Sequence, residues 1–266
     1  MRWLVLLLLM AGGSVRAAGD LSLSWTNNAL KIRGDGLPGG VLEVLYLEAF
    51  CRSNATHRSW GETKIPHRTE LISQTGHLLQ FRTLVLTNVE MRHEIRSGPD
   101  GVSFDYELHN LTDQPFDLEW FQPACIRVAA FTGGDQQSYL KRSFIFGAGG
   151  LVTLDRTERT EAALYRGGQV YVPAGINLSN VNPRPICGTR PVNGLIGCFS
   201  ADGKYLLATV SDSTHELFEG VYVCLHSDPH VGGLRARERK KFQAKLYWMP
   251  NDVEALLARY RRDFPD

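Results

Sequence analysis

The sequence lacks a second long apolar run and a strong net charge. After residues 4–10, no apolar run approaches the roughly 20 residues that a membrane-spanning helix needs. The 29 Lys and Arg residues nearly balance the 28 Asp and Glu residues. With no strong positive field to attract phosphates, nucleic acid is not a predicted partner. The one basic cluster, residues 235–241, is interpreted as a solvated turn before a strand.

Common catalytic and metal-binding motifs are also missing. The chain has no GxSxG nucleophile elbow, no HExxH, no GxxxxGK[ST] and no dinucleotide-binding GxGxxG in context. It has no CxxC, so neither a zinc knuckle nor a thioredoxin-like motif is indicated. No cofactor is predicted, and the sequence leaves open whether the protein is an enzyme.

The amino terminus has the three parts of a secretory signal peptide. Arg2 supplies the positive charge, residues 4–10 form the apolar centre, and small residues follow as far as Ala18. We expect cleavage after Ala17, with residues 1–17 as the signal peptide, and a secreted or periplasmic protein with no transmembrane segment after cleavage. Residues 18–266 are sufficient for a single β-rich domain.

Five cysteines are an odd and sparse set for an exported protein. Cys187 and Cys198 flank a turn-rich segment and are the predicted disulfide pair. Cys125 and Cys224 lie inside apolar runs, and Cys51 follows another. Cys125 and Cys224 are interpreted as buried thiols that act as small hydrophobic side chains.

Short segments of alternating apolar and polar residues dominate the rest of the chain. Residues 102–109 alternate with period two, and the two residues Asn27 and Asn28 join two such segments as a hairpin turn. No strand–helix alternation is present. The predicted fold is all-β, a large antiparallel β-sandwich.

The period changes at the carboxyl terminus. Apolar residues recur at helical spacing, and Asn251 precedes Glu254 by three residues, a helix start signal of capping-box type. We predict a short C-terminal α-helix over residues 251–263. The apolar face consists of Val253, Leu256, Leu257 and Tyr260.

One loop combines the side chains that sugar sites use. Aromatic side chains stack on pyranose rings, and the guanidinium groups of arginine bind hydroxyl or carboxylate groups. A solvated loop whose tryptophan covers a sheet edge is the alternative. The candidate substrate-binding residues here are Arg52, His57, Arg58 and Trp60.

A second candidate lies at the end of a predicted strand. In an extended chain His226, Asp228 and His230 point to one face. His226 and Asp228 are the predicted catalytic pair, with Asp228 orienting His226 as acid or base. A strand-end turn whose polar groups are already paired is the alternative. A divalent metal held by all three residues is the least favoured hypothesis, since Pro229 interrupts the strand, and no metal site is predicted.

Three further polar residues are candidates for substrate binding. Gln122 and Arg127 interrupt an apolar strand, and Arg184 lies between two prolines that stiffen its turn. A structural ion pair for Arg127 and a rigid structural crossing for Arg184 remain open as alternatives.

Residues 106–116, which read YELHNLTDQPF, resemble the galactose mutarotase-like supersandwich group. The resemblance implies a supersandwich-like fold and a bias toward carbohydrate ligands. The sequence departs from the group at Phe121-Gln122-Pro123, where mutarotases carry a catalytic histidine, so mutarotase activity is not expected. The whole chain also resembles a set of secreted bacterial proteins that share residues 46–52 and 224–228.

These observations predict a secreted carbohydrate-active or carbohydrate-binding protein. They do not identify its substrate, for which an acidic sugar is one candidate. A carbohydrate is the predicted ligand. The alternative is an exported, non-catalytic protein-interaction module. Convergence of the polar candidates in one place would favour the first hypothesis.

Overall fold

The computed structural model describes residues 21–99, 101–166, 168–220 and 222–265. The predicted signal peptide lies outside these residues. No helix among the described residues is long and apolar enough to cross a bilayer.

The described part of the chain forms nineteen strands and five α-helices. The strands are β1 Ser22–Thr26, β2 Ala29–Arg33, β3 Val41–Leu45, β4 Ala49–Cys51, β5 Lys64–Ile65, β6 His67–Gln74, β7 Leu78–Val85, β8 Val89–Gly98, β9 Gly101–Asn110, β10 Trp120–Gln122, β11 Cys125–Arg127, β12 Ser143–Gly147, β13 Gly150–Thr153, β14 Gln169–Tyr171, β15 Ile196–Phe199, β16 Tyr205–Ser211, β17 Thr214–Gly220, β18 Cys224–Pro229 and β19 Arg239–Pro250. The helices are α1 Trp60–Thr63, α2 Ala129–Thr132, α3 Gln136–Arg142, α4 Glu161–Arg166 and α5 Val253–Asp263.

The described strands assemble into two large sheets and one small sheet, and the pairs of neighbouring strands are antiparallel. The first large sheet has the order β1-β2-β3-β11-β18-β17-β14. The second has the order β13-β12-β15-β16-β19-β9-β8-β7-β6, and the small sheet has the order β10-β4-β5. The predicted all-β antiparallel sandwich is therefore confirmed.

The main hydrophobic core lies between the two large sheets. Strand β9 buries Phe104 and Leu108 in it, while its intervening residues are partly exposed. Strands β11 and β18 of the other sheet contribute Ile126 and Leu225 to the same core. Alternation with period two thus assigns one face of each sheet to the core.

The hairpin predicted at Asn27 and Asn28 is present. Strands β1 and β2 pair directly around these residues, whose φ angles are 51° and 62°. Two successive positive φ angles define the type I′ turn, which matches the twist of a two-stranded hairpin and which asparagine tolerates.

The predicted C-terminal helix is present as α5, and it covers the second large sheet on the face opposite the main core. Leu256 is fully buried there against residues such as Tyr247 and Met249 of β19. The helix start differs from the prediction, because Asp252, not Asn251, is the N-cap. The Asp252 carboxylate accepts a hydrogen bond from the Ala255 amide at 2.9 Å, which satisfies an amide that the helix leaves free.

The predicted Cys187–Cys198 disulfide is wrong. All five cysteines are buried free thiols. Cys198 lies in strand β15 inside the main core, whereas the Cys187 thiol donates a hydrogen bond to the Glu158 carbonyl at 3.1 Å. The two side chains therefore have different partners.

One histidine is built into the main core as a neutral ring. The Nδ1 atom of His93 lies 2.5 Å from the Tyr46 hydroxyl, and Nε2 lies 2.9 Å from the Thr83 hydroxyl. The Phe81 ring stacks on it at 4.9 Å. Burial lowers the pKa of His93 to about 3. The folded protein therefore disfavours protonation of this ring.

Acid is expected to destabilise the protein through His93. An unfolded histidine takes up a proton near pH 6.5, whereas folded His93 does so only near its lowered pKa, so stability is lost as pH falls below about 6.5. The expected loss from this residue is about 2–3 kcal/mol at pH 4.5. Urea unfolding of wild type and His93→Gln at pH 7 and pH 4.5 measures it. An identical pH dependence in the two proteins would contradict the assignment.

Candidate functional site

Strands β11 and β18 place several reactive side chains on one face. Arg127 pairs with Cys224 and Ile126 with Leu225, so the same register continued by one residue places Cys125 opposite His226. Asp228 follows His226 by two residues and therefore points to the same side. This is the face opposite the main core, and the small sheet covers it, with Trp120 of β10 bridging to His230 just after β18.

A thiol and imidazole cluster occupies this face. The Sγ atoms of Cys125 and Cys224 and a ring nitrogen of His226 all lie within 4.8 Å of one another. The distance from Cys224 Sγ to His226 Nε2 is 3.6 Å. All three side chains are buried. The contact with the Cys224 thiol, followed by burial, raises the pKa of Cys125 well above its usual range.

Two carboxylates flank the imidazole ring of His226. Asp228 Oδ1 lies 3.7 Å from Nδ1, and Glu48 Oε2 lies 3.8 Å from Nε2. Gln122 holds Asp228 by donating a hydrogen bond from Nε2 to Oδ2 at 3.0 Å. We call Glu48, Cys125, Cys224, His226 and Asp228 the buried centre.

Chain pairing in the small sheet positions Glu48. Its amide donates a hydrogen bond to the Gln122 carbonyl at 3.0 Å, directly before the pairing of β4 with β10. The side chain of Glu48 is 31% exposed, yet its Oε2 atom is buried. This side chain therefore connects the protein surface to the buried histidine.

A further carboxylate lies beside the buried centre. Glu216 of β17 pairs with Asp228 across the sheet, and its Oε2 accepts a hydrogen bond from the Asn182 amide at 2.9 Å. Burial raises the pKa of Glu216 well above its usual range, and the charge of Asp228 raises it further. Burial likewise raises the pKa of Asp228, against the opposing effects of His226 and Gln122.

Several buried polar atoms here have no hydrogen-bond partner. They are Glu48 Oε2, Glu216 Oε1, His226 Nδ1 and Asp228 Oδ1. Buried polar atoms are almost always paired, because removing them from water without a partner costs free energy. Such a concentration of unpaired atoms is typical of a site that binds something.

His230 belongs to a different cluster from His226 and Asp228, as the interruption of the strand at Pro229 predicts. Pro229 ends β18, and His230 Nε2 lies 3.3 Å from Glu119 Oε1. Glu119, His215 and His230 offer ligand atoms within 4.8 Å of one another. The strand end therefore separates the two histidines into two environments.

The loop residues predicted to bind sugar lie outside the buried centre. His57 and Arg58 are exposed, and Arg52 is half-buried directly after β4. Trp60 begins α1, and its ring lies 6.2 Å from the Trp120 ring. This loop packs over the small sheet.

Of the two other predicted arginines, Arg127 borders the buried centre and Arg184 lies near Glu216. Arg127 shares a face with Cys224, and its guanidinium lies 5.3 Å from the Tyr222 ring. Arg184 is half-buried, and its amide donates to the carbonyl of Asn182, the residue that contacts Glu216. Of the predicted site residues, Gln122, His226 and Asp228 therefore come together in one cluster.

Sequence reasoning missed the role of the two thiols. Cys125 and Cys224 were interpreted as small hydrophobic side chains, but both contact the imidazole of His226. The spacing Cys224, His226, Asp228 repeats every second residue of a strand and could have indicated one reactive face. Cys125 and Glu48 could not be found this way, since only the sheet pairing brings them close.

Two surface cavities lie away from the buried centre. One, of about 690 Å³, lies on the charged face of the second large sheet. Its lining includes Arg82, Arg92, Glu94, Asp105, Glu107 and Lys241. The other, of about 580 Å³, is lined by residues of two segments that include Phe116, Asp117, Gly232 and Arg235.

The chain is similar to solved structures of galactose mutarotase-like proteins, the group that residues 106–116 resemble. Similar solved structures are a galactose mutarotase-like protein from Lactobacillus casei (8% identity, 86% of this chain, 100% of that chain, TM-score 0.46) and one from Clostridium acetobutylicum (10% identity, 86% and 94%, TM-score 0.46). A candidate aldose 1-epimerase from Escherichia coli has 9% identity over 86% and 99% of the two chains, with a TM-score of 0.45. No protein-family model and no curated protein matches the sequence. These similarities concern the fold and assign no activity.

Proposed function

We propose that this is an exported carbohydrate-active or carbohydrate-binding protein whose ligand site is the buried centre. The observation that carries the proposal is the convergence of Gln122, His226 and Asp228 with Glu48. These residues come from three distant parts of the sequence. Their unpaired polar atoms offer hydrogen bonds that a polyhydroxylated ligand can accept or donate.

Glu48 is the group through which a sugar would engage this site. Its side chain is 31% exposed, and its buried Oε2 atom lies beside His226. A hydroxyl group that reaches Glu48 from solvent can exchange a proton with it, while Asp228 and Gln122 fix the histidine behind it. Arg127, at the border of the same face, supplies a cation for the carboxylate of an acidic sugar.

A ligand screen tests this proposal. A ligand that binds only the folded protein stabilises it by about 2.7 kcal/mol at a hundredfold excess over its dissociation constant, which raises the melting temperature. We expect one class among neutral and acidic oligosaccharides to raise it. Glu48→Gln should lose this shift, and Glu254→Gln, at an exposed position of α5, should retain it.

The outcomes separate the hypotheses. An equal shift in Glu48→Gln and wild type would overturn the assignment of the site. No shift with any sugar would overturn the carbohydrate proposal itself. It would favour the protein-interaction alternative, for which the charged 690 Å³ cavity on the second large sheet is the candidate surface.

A further inference from the structure

We propose that the buried centre binds one Zn²⁺ ion through Cys125 Sγ, Cys224 Sγ and His226 Nε2, with the Glu48 carboxylate at the fourth position. Metal binding by these residues does not depend on a sugar ligand. Its role in turnover rests on the proposed function.

The spacing of the donor atoms fits a tetrahedral site. Zinc–sulfur distances of about 2.3 Å and zinc–nitrogen distances of about 2.0–2.1 Å put neighbouring ligand atoms about 3.5–3.8 Å apart. The Cys224 Sγ to His226 Nε2 distance of 3.6 Å fits a sulfur and a nitrogen bound to one zinc ion. Glu48 Oε2 lies 3.8 Å from the same nitrogen, whereas an oxygen and a nitrogen on one zinc ion lie about 3.3–3.4 Å apart, so the carboxylate has to move closer to bind. Cys125 Sγ lies within 4.8 Å of both other donors, so small side-chain rotations complete the site.

The surroundings of His226 fit metal binding as well. A histidine ligand normally donates its second ring nitrogen to a carboxylate, which fixes the tautomer and the ring orientation. Here Asp228 Oδ1 lies 3.7 Å from Nδ1, and Gln122 in turn holds Asp228. Both Nδ1 and Oδ1 lack another hydrogen-bond partner, so a slight approach would join them.

The donor types select the metal. Two thiolates and an imidazole favour zinc over the oxygen-seeking Mg²⁺ and Ca²⁺. Two thiolates also balance the charge of Zn²⁺ in a place where the carboxylates are buried. Three protein donors plus a displaceable fourth ligand is the arrangement of catalytic zinc sites, whereas structural sites are closed.

The partial exposure of Glu48 makes it the displaceable ligand. Its side chain is partly exposed to solvent, whereas Cys125, Cys224 and His226 are buried. A sugar hydroxyl or water that replaces Glu48 on the metal would be polarised by it. Glu48, rather than His226, would then accept the proton, because the metal occupies the Nε2 atom of His226.

The competing chemistry is a Cys125–Cys224 disulfide. The two thiols are near neighbours on adjacent strands, and an oxidant such as molecular oxygen would join them with loss of two protons and two electrons. A disulfide would remove both thiolate ligands, so the two states exclude each other.

Metal analysis of the full chain tests the proposal. The protein is expressed with added ZnSO₄, purified and dialysed against metal-free buffer. We expect one zinc ion per chain in the wild type and its loss in Cys224→Ser. Cys187→Ser is the matched control and should retain the ion. Cys187 is also a buried thiol, but its hydrogen bond goes to the Glu158 carbonyl and not to the buried centre. Asp228→Asn should lower zinc affinity about 10–100-fold.

Cobalt substitution and thiol titration provide two further measurements besides the zinc content. Co²⁺ added to apo wild type should give the visible bands of a tetrahedral site and a thiolate-to-metal band, both absent in Cys125→Ser. Titration of the chelator-treated, denatured protein should find all five thiols. Substoichiometric zinc together with two missing thiols would overturn the proposal in favour of the disulfide. Full zinc retention in Cys224→Ser would overturn the ligand assignment.

The zinc and carbohydrate proposals fail separately. Zinc binding without a sugar-induced shift would leave the metal site standing and overturn the carbohydrate function. A sugar-induced shift in a protein that binds no zinc would support the carbohydrate function and overturn the zinc site.

Discussion

Arg159→Leu is expected to lower the free energy of unfolding by about 3–5 kcal/mol at pH 8, because it leaves a buried carboxylate without its cation. The carboxylate is that of Glu219 in β17, which is fully buried, and Arg159 Nη1 lies 2.6 Å from its Oε1. Chemical denaturation measures the change. The exposed pair Arg68 and Glu70 provides the control, and Arg68→Leu should change stability by no more than about 0.5 kcal/mol.

The effect of Arg159→Leu should grow with pH. Burial raises the pKa of Glu219 to about 7, and Arg159 opposes that rise. An unfolded glutamate loses its proton near pH 4.3, so the cost of keeping Glu219 charged when folded develops as pH rises above that value. Loss of Arg159 raises the pKa of folded Glu219 further and increases this cost. A destabilisation that is the same at pH 5 and pH 8 would contradict the ion-pair explanation.

Replacing both members of the pair should restore most of the stability. The double variant Arg159→Leu and Glu219→Leu removes both charges of this pair. Replacing a complete buried ion pair by apolar residues is often neutral. A double variant as unstable as Arg159→Leu alone would indicate that packing, rather than charge, causes the loss.

Trp120→Ala is expected to cost about 3–5 kcal/mol, the usual range for removing a large buried aromatic side chain. The Trp120 side chain is fully buried. Its ring stacks on His215 at 5.4 Å with an interplanar angle of 8°, and it also contacts Trp60. Urea denaturation measures the loss. Tyr222, which is 75% exposed, is the matched control, and Tyr222→Ala should change stability by about 0.5 kcal/mol or less.

The position of Trp120 explains why this residue matters to the site. It belongs to β10, the strand that carries Gln122 and pairs with the strand directly after Glu48. A cavity at Trp120 would loosen both residues. We therefore expect Trp120→Ala to weaken ligand binding at the buried centre as well, whereas equal stability of Trp120→Ala and Tyr222→Ala would show that the ring is dispensable.

Local patterns in the sequence were sufficient for the antiparallel β class, the first hairpin and the C-terminal helix. Alternation with period two indicates which face of a strand is buried. Asn27 and Asn28 tolerate the positive φ angles of a type I′ turn. The start of α5 was misplaced by one residue, since Asn251 and Asp252 are both good capping residues. The Asn251 amide side chain donates instead to the Gly203 carbonyl at 2.8 Å.

The sequence by itself determined that the chain builds an antiparallel sandwich and that His226 and Asp228 share one strand face, because both follow from periodicity along a few residues. Only the tertiary structure decided that Cys125, Glu48 and Gln122 meet them. Those contacts depend on which strands pair and in what register, and they join residues as far apart in the sequence as Glu48 and His226. The tertiary structure also places His230 in another cluster. Because the strand ends at Pro229, the alternation of side chains does not continue to His230.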